Sequence, residues 1–243
     1  MASSSELESA VRRRAIGDIA VSPRTWGGFN GAVSTGQWAG FEPINCDRDR
    51  GDLLKAGTEG DAPERLWDYM GFGPFANDAD MHIWLAGCMK STDPVFVGFR
   101  DQATGRLGGM GSFMAIRPDA GVVELGNLWF GRAWQRNSRA TEALSLMMHH
   151  AMETLGYRRL EWKCNAFNGP SRSAALRLGF RYEGEFLNHL IVKGRSRDTA
   201  WFSITDEEWP RVCDAHARWL VPENFDADGQ QRKSLSDLTK ALW

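Results

Sequence analysis

The sequence predicts one α/β domain built on a mixed, mostly antiparallel sheet, and two patterns carry this prediction. Three short apolar runs at 95–100, 107–116 and 122–130 are separated by turn residues, which is typical of an antiparallel meander. The third run is followed by a helical pattern from Ser138 and then by an alternating strand at 157–165. A strand–helix–strand unit of this kind places its two strands side by side and parallel. At 243 residues the chain is long enough to bury a full core.

The composition excludes several classes of protein. A net charge of −2 and a pI near 6.2 argue against a surface devoted to nucleic acid, so we expect no DNA partner. The four cysteines show no C-x-x-C spacing and are expected to be reduced thiols, which favours a cytoplasmic location. The basic run Arg12–Arg14 is not followed by an apolar stretch, and no run of 18 apolar residues occurs, so we expect neither a secretory leader nor a membrane partner.

Composition also divides the chain into three parts. Residues 1–35 are polar and glycine-rich, and we expect them to form a partly flexible N-terminal extension. The folded domain is predicted over 36–220, with its last helix ending at Leu220. Residues 221–243 are predicted to form a tail with a short helix, because three leucines recur there at helical spacing.

Ahead of the meander, the pattern predicts one strand and three helices. The strand lies at 37–44, and the first helix at 47–58 opens with acidic residues. A second helix is predicted at 62–70. A third is capped by Asn77 or Asp78.

After the meander, the helix from Ser138 carries an apolar stripe that belongs to the core, and Gly156 is placed to end it. Another helix is predicted from Asn168 to Gly179. Strands at 180–192 and 198–205 are predicted to pair as a hairpin.

The most distinctive stretch is the turn from Trp134 to Ala143, which joins a strand to a helix. Arginines stand at 132, 136 and 139, with no acid ahead of the helix. Backbone N–H groups of a first helical turn have no partner within the helix and lie at the positive end of its dipole. The turn therefore predicts an anion site suited to a pyrophosphate.

Three segments follow one another along the chain: Glu124-Leu125-Gly126 on a strand, Gln135…Ala140-Thr141-Glu142-Ala143 at the turn, and Asn165…Asn168-x-x-Ser171…Leu178-Gly179-Phe180. In this order they resemble the GNAT acyltransferase superfamily, and within it the branch related to ribosomal-protein N-terminal acetyltransferases. The resemblance covers roughly 36–220. It implies a twisted sheet with helices on both faces and a splay between the fourth and fifth strands, where the pantetheine arm of acetyl-CoA, the acyl donor, would enter.

The same resemblance implies which residues bind the donor. The pyrophosphate would lie on the turn, and the arm would lie along the splayed strands. The implied residues are Trp129, Phe130, Gln135, Arg136, Asn137, Ser138, Arg139, Ala140, Thr141, Asn165 and Asn168. The family's turn commonly has glycine where this chain has Ser138, and a Cβ restricts close backbone approach. The donor therefore stays open between acetyl-CoA, another acyl-CoA and an aminoacyl carrier.

Two residues are predicted to take part in the transfer. Attack by an amine on a thioester needs a base and a group that protonates the departing thiolate. Glu124 is the candidate base, and Ser171 is the candidate hydrogen-bond donor to the sulfur, on the family's helix-start position. The alternatives are an edge carboxylate and a first-turn serine that serve structure alone. No metal site is expected, because adjacent residues such as His149 and His150 point in different directions from a helix.

The acceptor is expected to be bound by loops. The candidate substrate residues are Trp67, Tyr69, Phe72, His189 and Asp198. The aromatic loop at 67–75 is equally consistent with a plug over the core, His189 with a structural histidine, and Asp198 with a brace for the hairpin.

Together these features predict an N-acyltransferase. The expected reaction moves an acetyl group from acetyl-CoA to a primary amine of a small molecule or a protein N-terminus, by direct attack in a ternary complex. The alternatives are a relative with another acyl-CoA or an aminoacyl-tRNA as donor, and a non-catalytic CoA-binding module. The sequence leaves the oligomeric state open, with a homodimer as one option.

Overall fold

The computed structural model describes residues 21–22, 24–60 and 62–243. Residues 1–20 of the predicted extension lie outside that part. The described chain forms an eight-stranded sheet in the order β1-β2-β3-β4-β5-β6-β8-β7, in which β5 and β6 pair in parallel and the other neighbours are antiparallel. The strands are β1 (Ser34–Thr35), β2 (Ala39–Pro43), β3 (Val95–Asp101), β4 (Leu107–Arg117), β5 (Val122–Phe130), β6 (Arg159–Asn165), β7 (Arg181–Val192) and β8 (Arg195–Thr205).

The helices fall largely where the sequence predicts them. They are α1 (Cys46–Thr58), α2 (Asp78–Lys90), α3 (Ser138–His149), α4 (Gly169–Arg177), α5 (Trp209–Trp219) and α6 (Leu235–Lys240). A π-helical turn, His150–Thr154, extends α3 to Gly156, whose φ of 65° suits a residue without a side chain. The meander and the parallel strand–helix–strand unit are confirmed, and so is the mixed, mostly antiparallel α/β class.

Two predicted elements are corrected by the structure. The helix expected at 62–70 is only a 3₁₀ turn, Pro63–Trp67, and Gly71 and Gly73 follow closely, which disfavours a longer helix. The hairpin is longer than predicted. Lys193 and Gly194 both adopt positive φ, of 48° and 73°, which makes a two-residue turn and lets β8 begin at once.

Two hydrophobic clusters lie on opposite faces of the sheet. The larger one packs α3, α4, α5 and α6 against strand residues such as Phe113 and Phe202, and it also contains Trp26 and Phe29 from the 1–35 segment. The smaller one packs α1, α2 and the aromatic loop against Met110. None of the helices in the described part of the chain has both the length and the apolar character needed to span a bilayer.

A buried histidine joins three helices within the larger cluster. His216 on α5 is 2% exposed. Its Nε2 lies 2.9 Å from the Leu178 carbonyl oxygen at the end of α4, and its Nδ1 lies 3.0 Å from Ser145 Oγ on α3. The carbonyl only accepts, so Nε2 carries the proton and Nδ1 accepts from the serine hydroxyl. Burial lowers the pKa of His216 to about 4.

This histidine is expected to make stability pH-dependent. Its folded-state pKa lies below the unfolded value, so the folded state binds fewer protons between pH 6.5 and 4, and stability falls as the pH falls through that window. A shift of this size corresponds to about 3 kcal/mol in the free energy of unfolding. Urea unfolding from pH 7 to pH 4 should show a shallower loss of stability for His216→Gln than for the wild type, whereas exposed His189→Gln should follow the wild type. Parallel curves for all three proteins would contradict the assignment.

Candidate active site

The parallel pair β5–β6 separates part of the way along its length. The last paired residues are Leu125 and Trp162, although β5 continues to Phe130 and β6 to Asn165. Beyond that point no strand of the described residues pairs with β5 on this side, so its backbone N–H and C=O groups face an opening rather than a ladder. This is the expected splay between the fourth and fifth predicted strands.

A bulge next to the opening redirects β5. Asn127 has a φ of 52°, and the β4–β5 register shifts between Met110 and Ser112. The Asn127 side-chain amide donates to Ser112 Oγ at 3.0 Å, which holds the bulge in place. A bulge turns the following residues relative to the strand before it. The chain thus changes direction where the strands part.

Glu124 lies just before the opening, and it is 7% exposed. Its Oε2 accepts from Lys163 Nζ at 2.8 Å, and the same ammonium lies 2.9 Å from an oxygen of Glu161. Burial raises the pKa of Glu124, and the charge of Lys163 opposes that rise without cancelling it. A buried carboxylate with a raised pKa is a competent proton acceptor for chemistry near neutral pH.

Ser171 lies on the opposite side of β6. Its Oγ accepts from the Trp162 indole N–H at 3.0 Å, and its backbone N–H donates to Asn168 Oδ1, the cap of α4, at 3.1 Å. Trp162 and Lys163 are neighbours on a strand, so they point to opposite faces. Ser171 and Glu124 are therefore not in one cluster, but stand on either side of the strand that borders the opening. Asn165, at the end of β6, accepts from the Phe167 N–H at 2.9 Å.

The turn ahead of α3 is capped by the residue just before the helix. Asn137, not Ser138, is the N-cap residue, and its side chain accepts from the Arg139 N–H at 3.0 Å. Ser138 is the first residue of the helix, and the left-handed residue of the turn is Arg136, with a φ of 56°. The backbone at Ser138 is therefore compatible with a Cβ. Gln135 donates to the Phe130 carbonyl at 3.1 Å.

The side chains of the turn point in several directions. Arg136 is exposed, whereas Arg139 is paired with the buried Asp101. Thr141 accepts from Arg177 at 2.9 Å and is buried, and Ala140 packs against the larger core. What the turn offers to an anion is thus mainly its backbone N–H groups and Arg136.

The aromatic residues of the site region are mostly core. Trp67 is 1% exposed and packs against Trp129, with ring centroids 5.0 Å apart. Phe72 packs on Trp84 in the same cluster, and Phe130 stacks on Phe99. These side chains therefore pack mainly against other aromatic residues of the two hydrophobic clusters.

The aromatic loop and the β7–β8 hairpin meet beside the opening. Lys193 Nζ donates to the Trp67 carbonyl at 2.8 Å. Tyr69 is exposed, and its hydroxyl donates to the Phe167 carbonyl at 3.1 Å, next to the end of β6. Of the loop residues predicted to contact substrate, Tyr69 is the one that reaches this edge.

The other predicted substrate residues lie on the hairpin. His189 is exposed and packs beside Trp201 and Phe186, with ring centroids 5.8 and 5.4 Å away. Asp198 accepts from the Asn188 N–H at 2.6 Å, so its carboxylate braces β7. His189 therefore faces the region and Asp198 supports it.

Sequence reasoning missed three residues of the site: Lys163, Arg197 and Trp201. Lys163 Nζ lies 4.2 Å from the centre of the Trp201 ring and also holds Glu124. Lys163 lies on the polar face of an alternating strand. The sequence does not reveal its role, because polar residues alternate in the same way whether they face solvent or a functional site. Arg197 was assigned to the hairpin loop, whereas the structure places it within β8.

The sequence and the fold are similar to those of known acetyltransferases. Residues 42–181 match the family model described as an acetyltransferase (GNAT) domain. A crystal structure of a GCN5-related N-acetyltransferase from Brucella melitensis shares 40% sequence identity with a TM-score of 0.86, covering 90% of this chain and 98% of that one.

Two further relatives are more distant. The ribosomal-protein-serine acetyltransferase of Escherichia coli is 35% identical over 85 residues, which span 33% of this chain and about half, 47%, of that protein. The structure of Mycobacterium smegmatis RimJ in complex with CoA-disulfide has a TM-score of 0.63 at 19% identity, covering 74% of this chain and 88% of that one, and shows likeness of fold alone.

Proposed function

This chain belongs to the GNAT acetyltransferase family, and from that premise we propose that it moves an acetyl group from acetyl-CoA to a primary amine. The acceptor amine belongs to a small molecule or a protein N-terminus and attacks directly in a ternary complex. The observation that carries the proposal is the parting of β5 and β6 after Leu125 and Trp162, with a buried carboxylate, Glu124, one residue before it.

Acetyl-CoA is complementary to two parts of this site, the unpaired edge of β5 and the N-terminus of α3. Pantetheine amides resemble a strand backbone, so the unpaired edge of β5 beyond Leu125 is complementary to an extended arm. The pyrophosphate suits the N-terminus of α3, with Arg136 exposed beside it. The relative from M. smegmatis, whose structure holds a CoA disulfide, supports the choice of CoA as carrier.

The reaction then divides between the two sides of β6. The nitrogen of the amine bonds to the thioester carbonyl carbon, and Glu124 takes the amine proton, directly or through water. The carbon–sulfur bond breaks, and the thiolate takes a proton from the Ser171 hydroxyl, which regains one from solvent. The Trp162 N–H already donates to Ser171 Oγ, which leaves the hydroxyl hydrogen available for the sulfur.

The proposal is tested by following free CoA thiol with an amine panel, alongside calorimetry with CoA. Amine-dependent thiol release supports it. CoA binding without turnover on any amine would instead support a non-catalytic module. Turnover that occurs only with another acyl-CoA or with charged tRNA would mean that acetyl-CoA is not the donor.

Ser171→Ala is expected to lower kcat by about 10- to 100-fold with little change in the KM for acetyl-CoA, because the serine acts on the leaving sulfur. Exposed Ser173→Ala, on the same helix, serves as the control. A donor with a more acidic thiol should restore much of the lost rate. Wild-type kcat in Ser171→Ala would remove this residue from the mechanism.

A further inference from the structure

Three alternate residues of β8, Arg197, Thr199 and Trp201, have buried polar atoms that nothing in the described part of the chain hydrogen-bonds. These atoms are Arg197 Nε, Thr199 Oγ1 and Trp201 Nε1. Thr199 is 0% exposed. Buried polar groups are almost always partnered, because leaving one unpaired is energetically costly. Three on one strand therefore indicate a place where a ligand supplies the partners.

These residues share the face of the sheet that carries Glu124. Alternate residues of a strand point to the same side. Trp201 lies directly opposite Lys163 in the β6–β8 register, and the lysine ammonium contacts both the Trp201 ring and the Glu124 carboxylate. Arg197 and Thr199 precede Trp201 on the same face of β8. Trp201 therefore lies beside the proposed base, and the other two unpartnered groups continue along the same face.

The charges around Glu124 are paired with one exception. Lys163, Arg117 and Arg159 each have a carboxylate oxygen within 2.9 Å. No ion pair among the described residues involves Arg197, although its side chain is half-buried. Burial lowers the pKa of this guanidinium, and Cys164 and Glu124 oppose that shift without cancelling it. An arginine fork binds a carboxylate through two parallel hydrogen bonds.

We propose that Arg197, together with Thr199 and Trp201, binds a carboxylate on the acceptor, so that the acceptor is a free amino acid. The inference rests on the proposed acetyl transfer and names its substrate class. An amino acid is complementary to the site because its amine meets Glu124 while its carboxylate meets Arg197. The rings of Phe186 and His189, which pack around Trp201, provide an apolar wall for its side chain.

The test compares acceptors that differ only in the carboxylate. Thiol release is measured with L-phenylalanine, with phenethylamine, which lacks the carboxylate, and with L-phenylalaninamide, in which it is neutral. We expect kcat/KM for L-phenylalanine to exceed that for the other two by about 10- to 100-fold, the value of a hydrogen bond to a charged group.

The variants then assign the preference to a residue. In Arg197→Leu the preference should disappear, because kcat/KM falls for L-phenylalanine while phenethylamine keeps its rate. Arg197→Lys should retain part of it, and Thr199→Val, which preserves shape, should lose a smaller part. Exposed Arg195→Leu on the same strand is the matched control, and thermal melting establishes that each variant is folded. If Arg197 has only a structural role, its replacement by Leu should lower the rates with L-phenylalanine and phenethylamine together.

The outcomes separate this inference from the function it rests on. Equal turnover of the three acceptors by the wild type would overturn the carboxylate site and leave acetyl transfer standing. Faster turnover of the amide than of the acid would also overturn it, and would favour a peptide N-terminus. If Arg197→Leu still prefers L-phenylalanine over phenethylamine, the carboxylate is bound by another residue and the role proposed for Arg197 is wrong. No thiol release with any amine would overturn both proposals.

Discussion

Glu124→Gln is expected to lower kcat/KM for the acceptor amine by about 10²- to 10⁴-fold, the range for loss of a general base. The amide keeps the shape of the side chain and can still contact Lys163, but it cannot take a proton. Acetyl-CoA binding, which we propose at the β5 edge and the α3 turn, should remain. The measurement is steady-state kinetics with calorimetry for the donor.

The pH profile sharpens this prediction. Burial raises the pKa of Glu124, so the wild-type rate should fall as the pH drops through that raised value and the carboxylate becomes protonated. The Glu124→Gln variant should lack this limb. In Glu161→Gln the limb should persist but move to lower pH, because Glu161 contacts the same Lys163 ammonium and its charge also raises the pKa of Glu124. A Glu124→Gln enzyme with full kcat/KM would make the carboxylate a structural partner of Lys163 alone.

Glu142→Ala is expected to destabilise the fold by about 3 kcal/mol. The Glu142 carboxylate on α3 accepts from the backbone N–H groups of Gln37, Trp38 and Ala39 at 2.8, 2.6 and 2.7 Å. Glu142 is 5% exposed, so its removal leaves these three backbone N–H groups without a hydrogen-bond acceptor at the start of β2. Urea unfolding should show a lower midpoint with an unchanged slope.

Two controls test the cause of that loss. Glu59→Ala, at the exposed end of α1, removes a solvent-accessible partner of Lys55 and should change stability by less than about 1 kcal/mol. Gly36→Ala should disturb the same contact, because a Cβ at position 36 would lie 2.4 Å from the Glu142 carboxyl carbon. This variant should therefore also have a lower free energy of unfolding. Wild-type stability in Glu142→Ala would mean that solvent satisfies the three N–H groups equally well.

Glu142 also shows why a motif residue can be recognised and its role missed. The Ala140-Thr141-Glu142-Ala143 segment identifies the strand-to-helix turn in the sequence, and it belongs to the predicted anion site. The carboxylate points the other way, toward a strand about a hundred residues earlier, and no local pattern encodes a contact of that range. Thr141 behaves similarly, since its partner is Arg177 on another helix.

Most of the strand and helix order, the parallel unit at α3 and the strand-to-helix turn ahead of it could be predicted from the sequence, because apolar period, caps and glycine stops are local properties. Glu124 and Ser171 were also predicted on the correct elements. The structure was needed to show that β5 and β6 part after Leu125, that Lys163 contacts Glu124, and that Arg197 has no carboxylate partner among the described residues. Those facts depend on which strands become neighbours and where a bulge ends their pairing, and both follow from packing between residues distant in the chain.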